Sequence, residues 1–480
     1  MARFTRREVL EQSLLAAAAV AVPAVPALAS EPSGPRAGAN ELLRIGVVGV
    51  RGRGLAHVST FSNFKDCQVV ALCDIDPNSV HEATKRVETK SGKRPAYYPD
   101  FRKMLEDKSI DAVSIATTNH THSLFAIWAM QAGKHVYVEK PVSHNVWEGR
   151  KAVEAARKYK RVCQTGTQCR SSKGLKEAMA FLHEGKLGKV KVARGLCYKR
   201  RTSIGKKEDG PVPAGVDYDL WLGPAPVRPF NPSRFHYNWH WHWDYGNGDL
   251  GNQGIHQMDI ARWGLGKKEL AKKAVSVGGR LGYEDDGETP NTQIVWLDYG
   301  DSELLFEVRG LETDAYREAK IGVIFHCEKG YMVNPTYTSA TVFDPDGNKV
   351  QTFAGGRDED HFRNFVDCVM GGKPGELNAD IEEGHLSSAL CHLGNVSHRL
   401  GELKATYKAN PFPESEAAAD TFHRMKEHLD QNGVKATLSQ VSVGRTLSID
   451  PKTETCVGDA EANKLFTREY RAPFVVPEQV

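Results

Sequence analysis

The sequence predicts an α/β protein with two sheets, a parallel one in its first part and a mainly antiparallel one in its second. Short apolar runs alternate with helical patterns from residue 44 to residue 164, and this order builds a doubly wound parallel sheet. Strand-like runs then follow one another, with turns such as 299–301 between several of them, as in antiparallel sheets. The chain has 480 residues, which is enough for both sheets and their cores.

The elements fall in the following order along the sequence. The predicted strands of the first part are 45–48, 69–73, 112–116, 135–138 and 161–164, and the helices between them are 55–64, 77–90, 123–132 and 146–159. In the second part, helix 173–184 precedes strands 190–198, 274–279, 292–297, 303–308 and 321–326, and helices 361–370, 382–399 and 417–431 follow. We therefore expect a first domain over 41–165, an α+β domain over 166–400 and a C-terminal extension over 401–480.

The first strand runs directly into a glycine-rich turn and then a helix. Such a turn points the free N–H groups of the helix at a bound anion, and glycine lets the backbone approach that anion closely. The turn residues expected to contact a dinucleotide are Gly49, Arg51, Gly52, Arg53 and Gly54. Asp74 ends the next strand, where a carboxylate can accept hydrogen bonds from the adenosine ribose. Arg51 occupies the middle place of the G-x-G-x-x-G pattern, so a plain structural turn is the alternative.

Strand 135–138 leads into Glu139, Lys140 and Pro141, at the end of a parallel strand where ligands of such sheets bind. With this string, the glycine turn and Asp74, the sequence resembles the Gfo/Idh/MocA oxidoreductase family over about residues 42–400. The resemblance implies an N-terminal Rossmann domain that binds NAD, with NADP less favoured because of Asp74. It also implies a C-terminal α+β domain with a large, open, mainly antiparallel sheet. The further cofactor contacts it implies are Thr117, Asn119, His122, Glu139 and Lys140.

In this family the lysine of the Glu-Lys-Pro string lies beside the nicotinamide and acts on the reacting hydroxyl, a role that would fall to Lys140. His256 and Asp259 lie three residues apart in a helical pattern, so Asp259 is expected to orient the imidazole. Many family members have aspartate where this chain has Asn252, which cannot take a proton. The resemblance therefore favours His256 as the base and Asn252 as a hydrogen-bonding partner, with a structural helical histidine as the alternative.

Residues 235–245 alternate aromatic and polar side chains, which would point to opposite sides of an extended segment. Aromatic faces and polar hydrogen bonds together suit a sugar. The candidate substrate residues are Arg170, Trp239, His240, Trp241 and His242. A metal bound by His240 and His242 is the less favoured alternative, because no fixed set of further ligands lies nearby, and no metal site is expected.

The N-terminus contains Arg6 and Arg7 before an alanine-rich apolar run and a small-residue cleavage site at Ala27–Ala29, a pattern typical of a twin-arginine export signal. We expect a signal peptide over 1–29, a linker over 30–40 and a periplasmic protein that uses the twin-arginine export machinery. The net charge is only +3, so no nucleic acid is expected as a partner. Stable membrane insertion is not expected either, and the resemblance implies a homodimer or homotetramer.

These observations together predict a nicotinamide-dependent oxidoreductase that removes hydride from a hydroxyl of a sugar, polyol or glycoside, with a tightly bound cofactor that is recycled. Two alternatives stay open. One is an NAD-dependent glycoside hydrolase or lyase that oxidises its substrate transiently. The other is a sugar-binding member of the fold without catalysis.

Overall fold

The first layer is a six-stranded parallel sheet whose strands run in the order β3-β2-β1-β4-β5-β6. Its strands are β1 (Leu43–Val48), β2 (Cys67–Cys73), β3 (Ala96–Tyr98), β4 (Ala112–Ile115), β5 (His135–Val138) and β6 (Cys163–Thr165). Its helices are α1 (Arg53–Asn63), α2 (Pro77–Ser91), α3 (Phe101–Glu106), α4 (Asn119–Gln131) and α5 (Val146–Lys158). The structure, a computed structural model, describes residues 42–409 and 411–480; the predicted signal peptide and linker lie outside these residues.

Helices cover both faces of the parallel sheet, which is why its strands are apolar on both sides. On one face, Phe61 of α1 and Val80 of α2 pack against Ile45 and Val47. On the other face, residues of α4 and α5 pack against Ile115 and neighbouring strand residues. The edge strand β3 was not predicted, because its three residues are mostly exposed and carry no apolar pattern.

The second part contains helices and a twelve-stranded sheet. Its strands are β7 (Val190–Cys197), β8 (Lys273–Gly279), β9 (Thr292–Asp298), β10 (Glu303–Arg309), β11 (Ile321–Cys327), β12 (Gly330–Asn334), β13 (Ser339–Phe343), β14 (Lys349–Ala354), β15 (Glu402–Ala405), β16 (Gln440–Val443), β17 (Leu447–Asp450) and β18 (Thr455–Cys456). Its helices are α6 (Lys173–His183), α7 (Tyr218–Leu222), α8 (Gly248–Asn252), α9 (Gly254–Gly264), α10 (Asp358–Met370), α11 (Ile381–Arg399), α12 (Glu416–Gln431) and α13 (Ala460–Leu465).

The strands of this sheet pair in the order β14-β13-β12-β11-β7-β10-β9-β8-β16-β15, and β17 pairs with both β8 and β18. The pairs are antiparallel except for β7 and β10, which are parallel. One parallel sheet and one mixed, mostly antiparallel sheet confirm the predicted fold class. The strands after β11 were not predicted, because the hairpin strands are short and half-exposed.

The two faces of the large sheet are covered differently. Helices α6, α9 and α11 bury the inner face, where Leu250, Ile255 and Phe306 lie in one core. On the outer face, Met425 and Leu429 of α12 pack on Ile294 and Trp296. The C-terminal extension therefore completes this sheet and covers part of its outer face.

Candidate active site

A cavity of about 640 Å³ lies where β1, β2, β4 and β5 end. Its walls come from the parallel-sheet domain, from the segment between β7 and α9, from Tyr337 and from Phe474, which lies near the C-terminus. The cavity thus lies at the carboxyl edge of the parallel sheet, where the fold class leads one to expect a ligand. Most of the predicted cofactor residues are on its wall.

The glycine turn after β1 is packed too closely for side chains at two of its positions. A Cβ on Gly54 would lie 1.6 Å from the carbonyl oxygen of Gly49, and a Cβ on Gly49 would lie 2.6 Å from that of Ala116. Gly52 has a φ of 54° and borders the cavity, with nothing within 4 Å of where its Cβ would stand. Gly52 is also the N-cap of α1 and no side chain of the described residues caps the helix. The free N–H groups at the start of α1 can therefore receive a pyrophosphate.

Asp74 borders the same cavity and also holds the turn in place. Its Oδ2 accepts a hydrogen bond of 2.9 Å from the backbone N–H of Val50, and its Oδ1 accepts one of 3.0 Å from that of Asp76. Burial raises the pKa of Asp74, against the effect of these two hydrogen bonds. Each carboxylate oxygen keeps a lone pair for a ribose hydroxyl.

The two arginines of the turn take different partners. Arg51 lies on the cavity wall and its Nη1 contacts the ring of His236 at 2.9 Å. Arg53 donates from Nε to Glu139 at 2.9 Å and also pairs with Asp358. Glu139 receives a second contact of 3.0 Å from Nε2 of the buried His57. Burial opposes the ionisation of Glu139, but Arg53 and His57 hold its pKa well below the usual value.

Residues Thr117, Asn119 and His122 also line the cavity, as predicted for cofactor contacts. Their polar groups are engaged within the protein. The ring nitrogens of His122 contact the carbonyl oxygens of Pro141 and Thr117 at 2.7 and 3.1 Å. Asn119 donates to the side chain of Asn247 at 3.1 Å. These bonds tie the start of α4 to the Lys140–Pro141 segment and to the turn before α8.

The proposed catalytic residues Lys140, Asn252 and His256 all border the cavity. The Lys140 ammonium donates a hydrogen bond of 2.7 Å to the backbone carbonyl of Asn252, the last residue of α8. Burial lowers the pKa of Lys140, with Arg53 acting in the same direction against Glu139. Burial and then the charge of Lys140 hold the pKa of His256 well below its usual value. Nδ1 of His256 has no hydrogen-bond partner among the described residues.

The predicted pairing of Asp259 with His256 is wrong. Asp259 is fully buried and accepts hydrogen bonds from Arg170 Nε at 2.8 Å and from Ser387 Oγ at 2.7 Å. A spacing of three residues puts the side chains of His256 and Asp259 near one another on α9, but the Asp259 carboxylate faces the buried guanidinium of Arg170 instead. Asp259 therefore anchors α9 from behind rather than orienting the imidazole.

Arg170 was predicted as a substrate contact, and the structure contradicts this too. Only 5% of its side chain is exposed, and it forms ion pairs with Asp259 and with Glu383. In the part of the chain that the structure describes, Arg170 is not on the cavity wall. Its neighbour Gln168 is, although the sequence gave no reason to choose it.

The aromatic run 235–245 is not an extended segment with two sides. His236 has a φ of 59°, and residues Asn238–Trp241 form a turn of 3₁₀ helix. Trp239 and His240 stack on one another, with ring centroids 3.6 Å apart, and both border the cavity. Trp241 and His242 are equally buried but lie away from the cavity wall within the described residues. Only half of the predicted aromatic substrate set is therefore in place.

One ring nitrogen of His240 and one of His242 each contact a backbone carbonyl. His240 Nδ1 lies 2.6 Å from the carbonyl oxygen of Tyr237, and His242 Nε2 lies 3.2 Å from that of Ser233. Burial lowers the pKa of His240 to about 3. No group of three or more histidine, cysteine, aspartate or glutamate side chains suited to a metal ion occurs within residues 42–409 and 411–480.

Sequence reasoning missed several residues of the wall. Tyr337 follows β12, and its ring lies 5.0 Å from that of His256. At the opposite end the wall is aromatic, formed by Phe101, Phe125, Trp128 and Phe474. No local pattern marks these residues, because they come from α3, α4 and the C-terminus and meet only in the folded chain.

Comparison with known proteins decides the family. Residues 43–167 match a family described as an oxidoreductase family with an NAD-binding Rossmann fold. Residues 181–429 match the C-terminal alpha/beta domain of the same oxidoreductase family. The chain belongs to the Gfo/Idh/MocA oxidoreductase family. This confirms the resemblance inferred from the Glu-Lys-Pro string and assigns an NAD-binding fold to the domain that carries the glycine turn.

Relatives within the family have two kinds of described activity. The chain is 29% identical over 207 residues to a glycosyl hydrolase family 109 protein of Saccharopolyspora erythraea, covering 40% of this chain and 45% of the relative. It is 28% identical over 152 residues to myo-inositol 2-dehydrogenase of Thermotoga maritima, covering 32% of this chain and 44% of the relative. The matches thus span less than half the length of these curated relatives.

The fold is shared with solved structures of dehydrogenases. The WlbA dehydrogenase of Bordetella pertussis, solved in complex with NADH and UDP-GlcNAcA, superposes with a TM-score of 0.57 at 19% identity. That comparison covers 75% of this chain and 97% of the WlbA chain. At this level of identity the likeness supports the fold alone.

Proposed function

We propose that this protein is a nicotinamide-dependent oxidoreductase that acts on a hydroxyl of a sugar, polyol or glycoside. The observation that carries the proposal is that Lys140, Asn252 and His256 border the same cavity as the uncapped glycine turn. One cavity therefore has both an anion-binding backbone and a proton-transfer group. Both are needed to remove a hydride and a proton from one hydroxyl-bearing carbon.

The residues present fit NAD. The uncapped start of α1 with Gly49 and Gly52 would hold the pyrophosphate, and Asp74 would hold the adenosine ribose. Lys140 and His256 would border the nicotinamide and the substrate. NAD, when bound, supplies the acceptor for the hydride. All other steps fall to side chains of this chain.

Lys140 is the proposed acceptor of the hydroxyl proton. Burial lowers its pKa, so its neutral amine is more available than that of an ordinary lysine, and a base works best when its pKa lies near the working pH. The carbonyl of Asn252 fixes the direction of Nζ. His256 has a pKa well below its usual value, so it stays neutral and positions the hydroxyl by a hydrogen bond. This assignment differs from the sequence-based expectation that His256 is the base.

The proposal is tested on the exported protein as it is purified. Native mass spectrometry should find one bound nicotinamide nucleotide per chain, and a panel of sugars and polyols should change the ultraviolet absorbance of reduced nicotinamide. Binding of a sugar without any absorbance change or product would instead support a sugar-binding protein without catalysis. Absence of nucleotide and no activity with added NAD would refute the proposal.

A second candidate is an NAD-dependent glycoside hydrolase, which the likeness to the glycosyl hydrolase family 109 protein favours. Such an enzyme oxidises the sugar transiently and reduces it again. The two candidates differ in net redox change. Release of the leaving group from a chromogenic glycoside with no net change in NADH would establish the hydrolase, whereas an accumulated keto product would establish the oxidoreductase.

We further propose that the protein is exported to the periplasm by the twin-arginine machinery, already folded around its cofactor. The support is the sequence of residues 1–29 with Arg6 and Arg7. None of the helices among the described residues has both the length and the apolar character needed to cross a membrane. Replacing Arg6 and Arg7 by lysine should retain the protein in the cytoplasm on cell fractionation, and continued export would contradict the proposal.

The assembly we propose is a homodimer or homotetramer. Helix α12 covers the outer face of the large sheet around Ile294 and Trp296, so pairing through that part is blocked by the chain itself. On the rest of that face, the partly buried Tyr331 and Phe343, which pack with the buried Ile324 and Val333, are the candidate contact. Light scattering on the purified protein should give two or four times the chain mass of 53.0 kDa, and a monomer would contradict this.

A further inference from the structure

The last residues of the chain lie across both sides of the cavity. Residues 466–480 follow α13 and lie beyond the segment that matches the family's C-terminal domain, which ends at residue 429. The backbone carbonyl of Phe466 accepts a hydrogen bond of 2.9 Å from Trp147 at the start of α5. The hydroxyl of Tyr470 donates to Glu148 at 3.0 Å. This segment, which we call the C-terminal strap, is thus fixed to the parallel-sheet domain.

The strap is also fixed to the other side of the cavity. Arg471 donates from Nε to the carbonyl of Gly223 at 2.9 Å and from Nη1 to the carboxylate of Asp219 at 2.5 Å. Both residues are at α7, whose Leu220 and Trp221 line the cavity. Arg468 donates to the carbonyl of Asp244 at 3.1 Å. The strap therefore joins the parallel-sheet domain to the segment that covers the cavity.

Phe474 is the strap residue that reaches the cavity wall. Only 2% of it is exposed, and it belongs to the same core as residues of α4 and α5. Its ring lies 6.1 Å from that of Trp128, and the guanidinium of Arg102 lies 5.1 Å from its centre. Val476 and Val480, which follow Phe474 in the chain, anchor the end of the strap in the same core. Phe474 is therefore held firmly at this position.

The end of the cavity next to Phe474 suits a flat apolar ring. Phe101 and Phe125 stack there with centroids 4.7 Å apart, and Trp128 stacks on Phe125 at 5.9 Å. Phe101 follows β3, whereas Lys140 follows β5. Four strand spacings of about 4.8 Å separate those strands, so these ends lie roughly 19 Å apart. Asp74, at the end of β2, lies between them.

We propose that this aromatic end holds the adenine ring, that Phe474 forms one of its walls, and that the C-terminal strap thereby slows release of the cofactor. The inference rests on the proposed function, since it takes the ligand of the cavity to be NAD. A nucleobase that stacks between aromatic side chains gains affinity through its flat faces and needs no specific hydrogen bonds for this. Release requires the adenine to pass a wall that is held on both domains.

The test compares Phe474→Ala with the wild type, each freed beforehand of the nucleotide that co-purifies with it. Calorimetry should show about tenfold weaker binding of NAD and of ADP-ribose, which is about 1.4 kcal/mol. Binding of nicotinamide mononucleotide, which lacks the adenine, should not change. Stopped-flow dissociation of NADH should be faster by a similar factor.

The control is Val475→Ala, which shortens a neighbouring side chain that is 43% exposed. Its three dissociation constants and its rate of NADH dissociation should match those of the wild type. If Phe474→Ala lacks a cooperative thermal transition, Phe474→Leu is measured instead and should weaken ADP-ribose at least threefold with nicotinamide mononucleotide unchanged. The inference would be overturned if ADP-ribose binding were unchanged, or if ADP-ribose and nicotinamide mononucleotide lost affinity by the same factor. A wild type that binds neither ligand would instead refute the proposed function.

Discussion

The two ends of the cavity differ in chemistry. At one end Lys140, His240 and His256 are polar groups with lowered pKa values, in a neighbourhood that is partly shut off from water. At the other end, Phe101 and Phe474 belong to a set of aromatic side chains. The polar end can transfer a proton, whereas the aromatic end can only bind. Changes at the first end should therefore affect turnover, and changes at the second should affect affinity.

The ends are also supported differently. Behind the polar end, α9 is held by the buried ion pair of Asp259 with Arg170, and Arg262 of the same helix pairs with Glu383. A buried charge that loses its partner is strongly destabilising, so this network fixes the helix that carries His256. The aromatic end depends instead on apolar packing and on the C-terminal strap. The polar end is therefore held by buried charges, and the aromatic end by apolar packing.

The largest expected effect is at the polar end. Lys140→Ala should lower kcat on the order of a hundredfold or more, because it removes the proposed proton acceptor. The dissociation constant of NAD should change by less than threefold, since the pyrophosphate and adenine contacts remain. Steady-state kinetics and calorimetry on the same preparation measure the two quantities.

Two further variants sharpen this test. Lys140→Arg keeps a positive charge but cannot give up its proton, so it should be as inactive as Lys140→Ala. Lys151→Ala removes a lysine of α5 that pairs with Glu154 and lies off the cavity wall within the described residues, and it should leave kcat unchanged. Near-wild-type turnover in Lys140→Arg would show that only the charge matters and would remove the proton-transfer role.

A smaller effect is expected at His256, which we take to be a neutral hydrogen-bonding group. His256→Asn should lower kcat roughly tenfold, because one hydrogen bond to the reacting oxygen is lost.

Because the neutral amine of Lys140 is the acting form and burial lowers its pKa, kcat should rise with pH until that pKa is passed. On acidification the amine gains a proton and kcat should fall.

The pH profile separates the two residues. The pKa of His256 lies well below its usual value, so this histidine stays neutral above pH 7 and does not contribute to the pH dependence there. His256→Asn should therefore lower the profile without changing its shape, and His423→Asn, at an exposed histidine of α12, should change neither. If the rise with pH disappears in His256→Asn, the proton acceptor is His256 and the assignment to Lys140 is wrong.

The polar end and the middle of the cavity could be predicted from the sequence, whereas the aromatic end could not. The glycine turn, Asp74 and Lys140 each follow a strand within one or two residues, so local order along the chain determines where they lie. Asp259 shows the limit of local spacing, because its partner Arg170 is 89 residues away. Phe474 is more than 300 residues from Trp128, and only tertiary packing brings them together. The prediction of an extended segment over 235–245 was wrong because a 3₁₀ turn interrupts the alternation of aromatic and polar residues.

The smallest expected effect lies between the two ends, at Asp74. NAD should bind about fivefold more tightly than NADP, on the order of 1 kcal/mol, because a 2′-phosphate would meet this carboxylate in partly hydrated surroundings. Both oxygens of Asp74 are fixed by backbone N–H groups at 2.9 and 3.0 Å, so the carboxylate cannot swing away. Arg51, which could otherwise accept the phosphate, contacts His236. Competitive calorimetry with both nucleotides measures the ratio.

The charge of Asp74 can be separated from its role in the turn. Asp74→Asn keeps an oxygen for the N–H of Val50 and removes the negative charge, so the preference for NAD should shrink towards one while NAD itself still binds. Asp107→Asn, at a carboxylate that accepts from Tyr98 and lies off the cavity wall within the described residues, should preserve the wild-type ratio. Tighter binding of NADP by the wild type would mean that the ribose does not lie against Asp74. The adenosine ribose would then contact another part of the cavity, even if both ends behave as proposed.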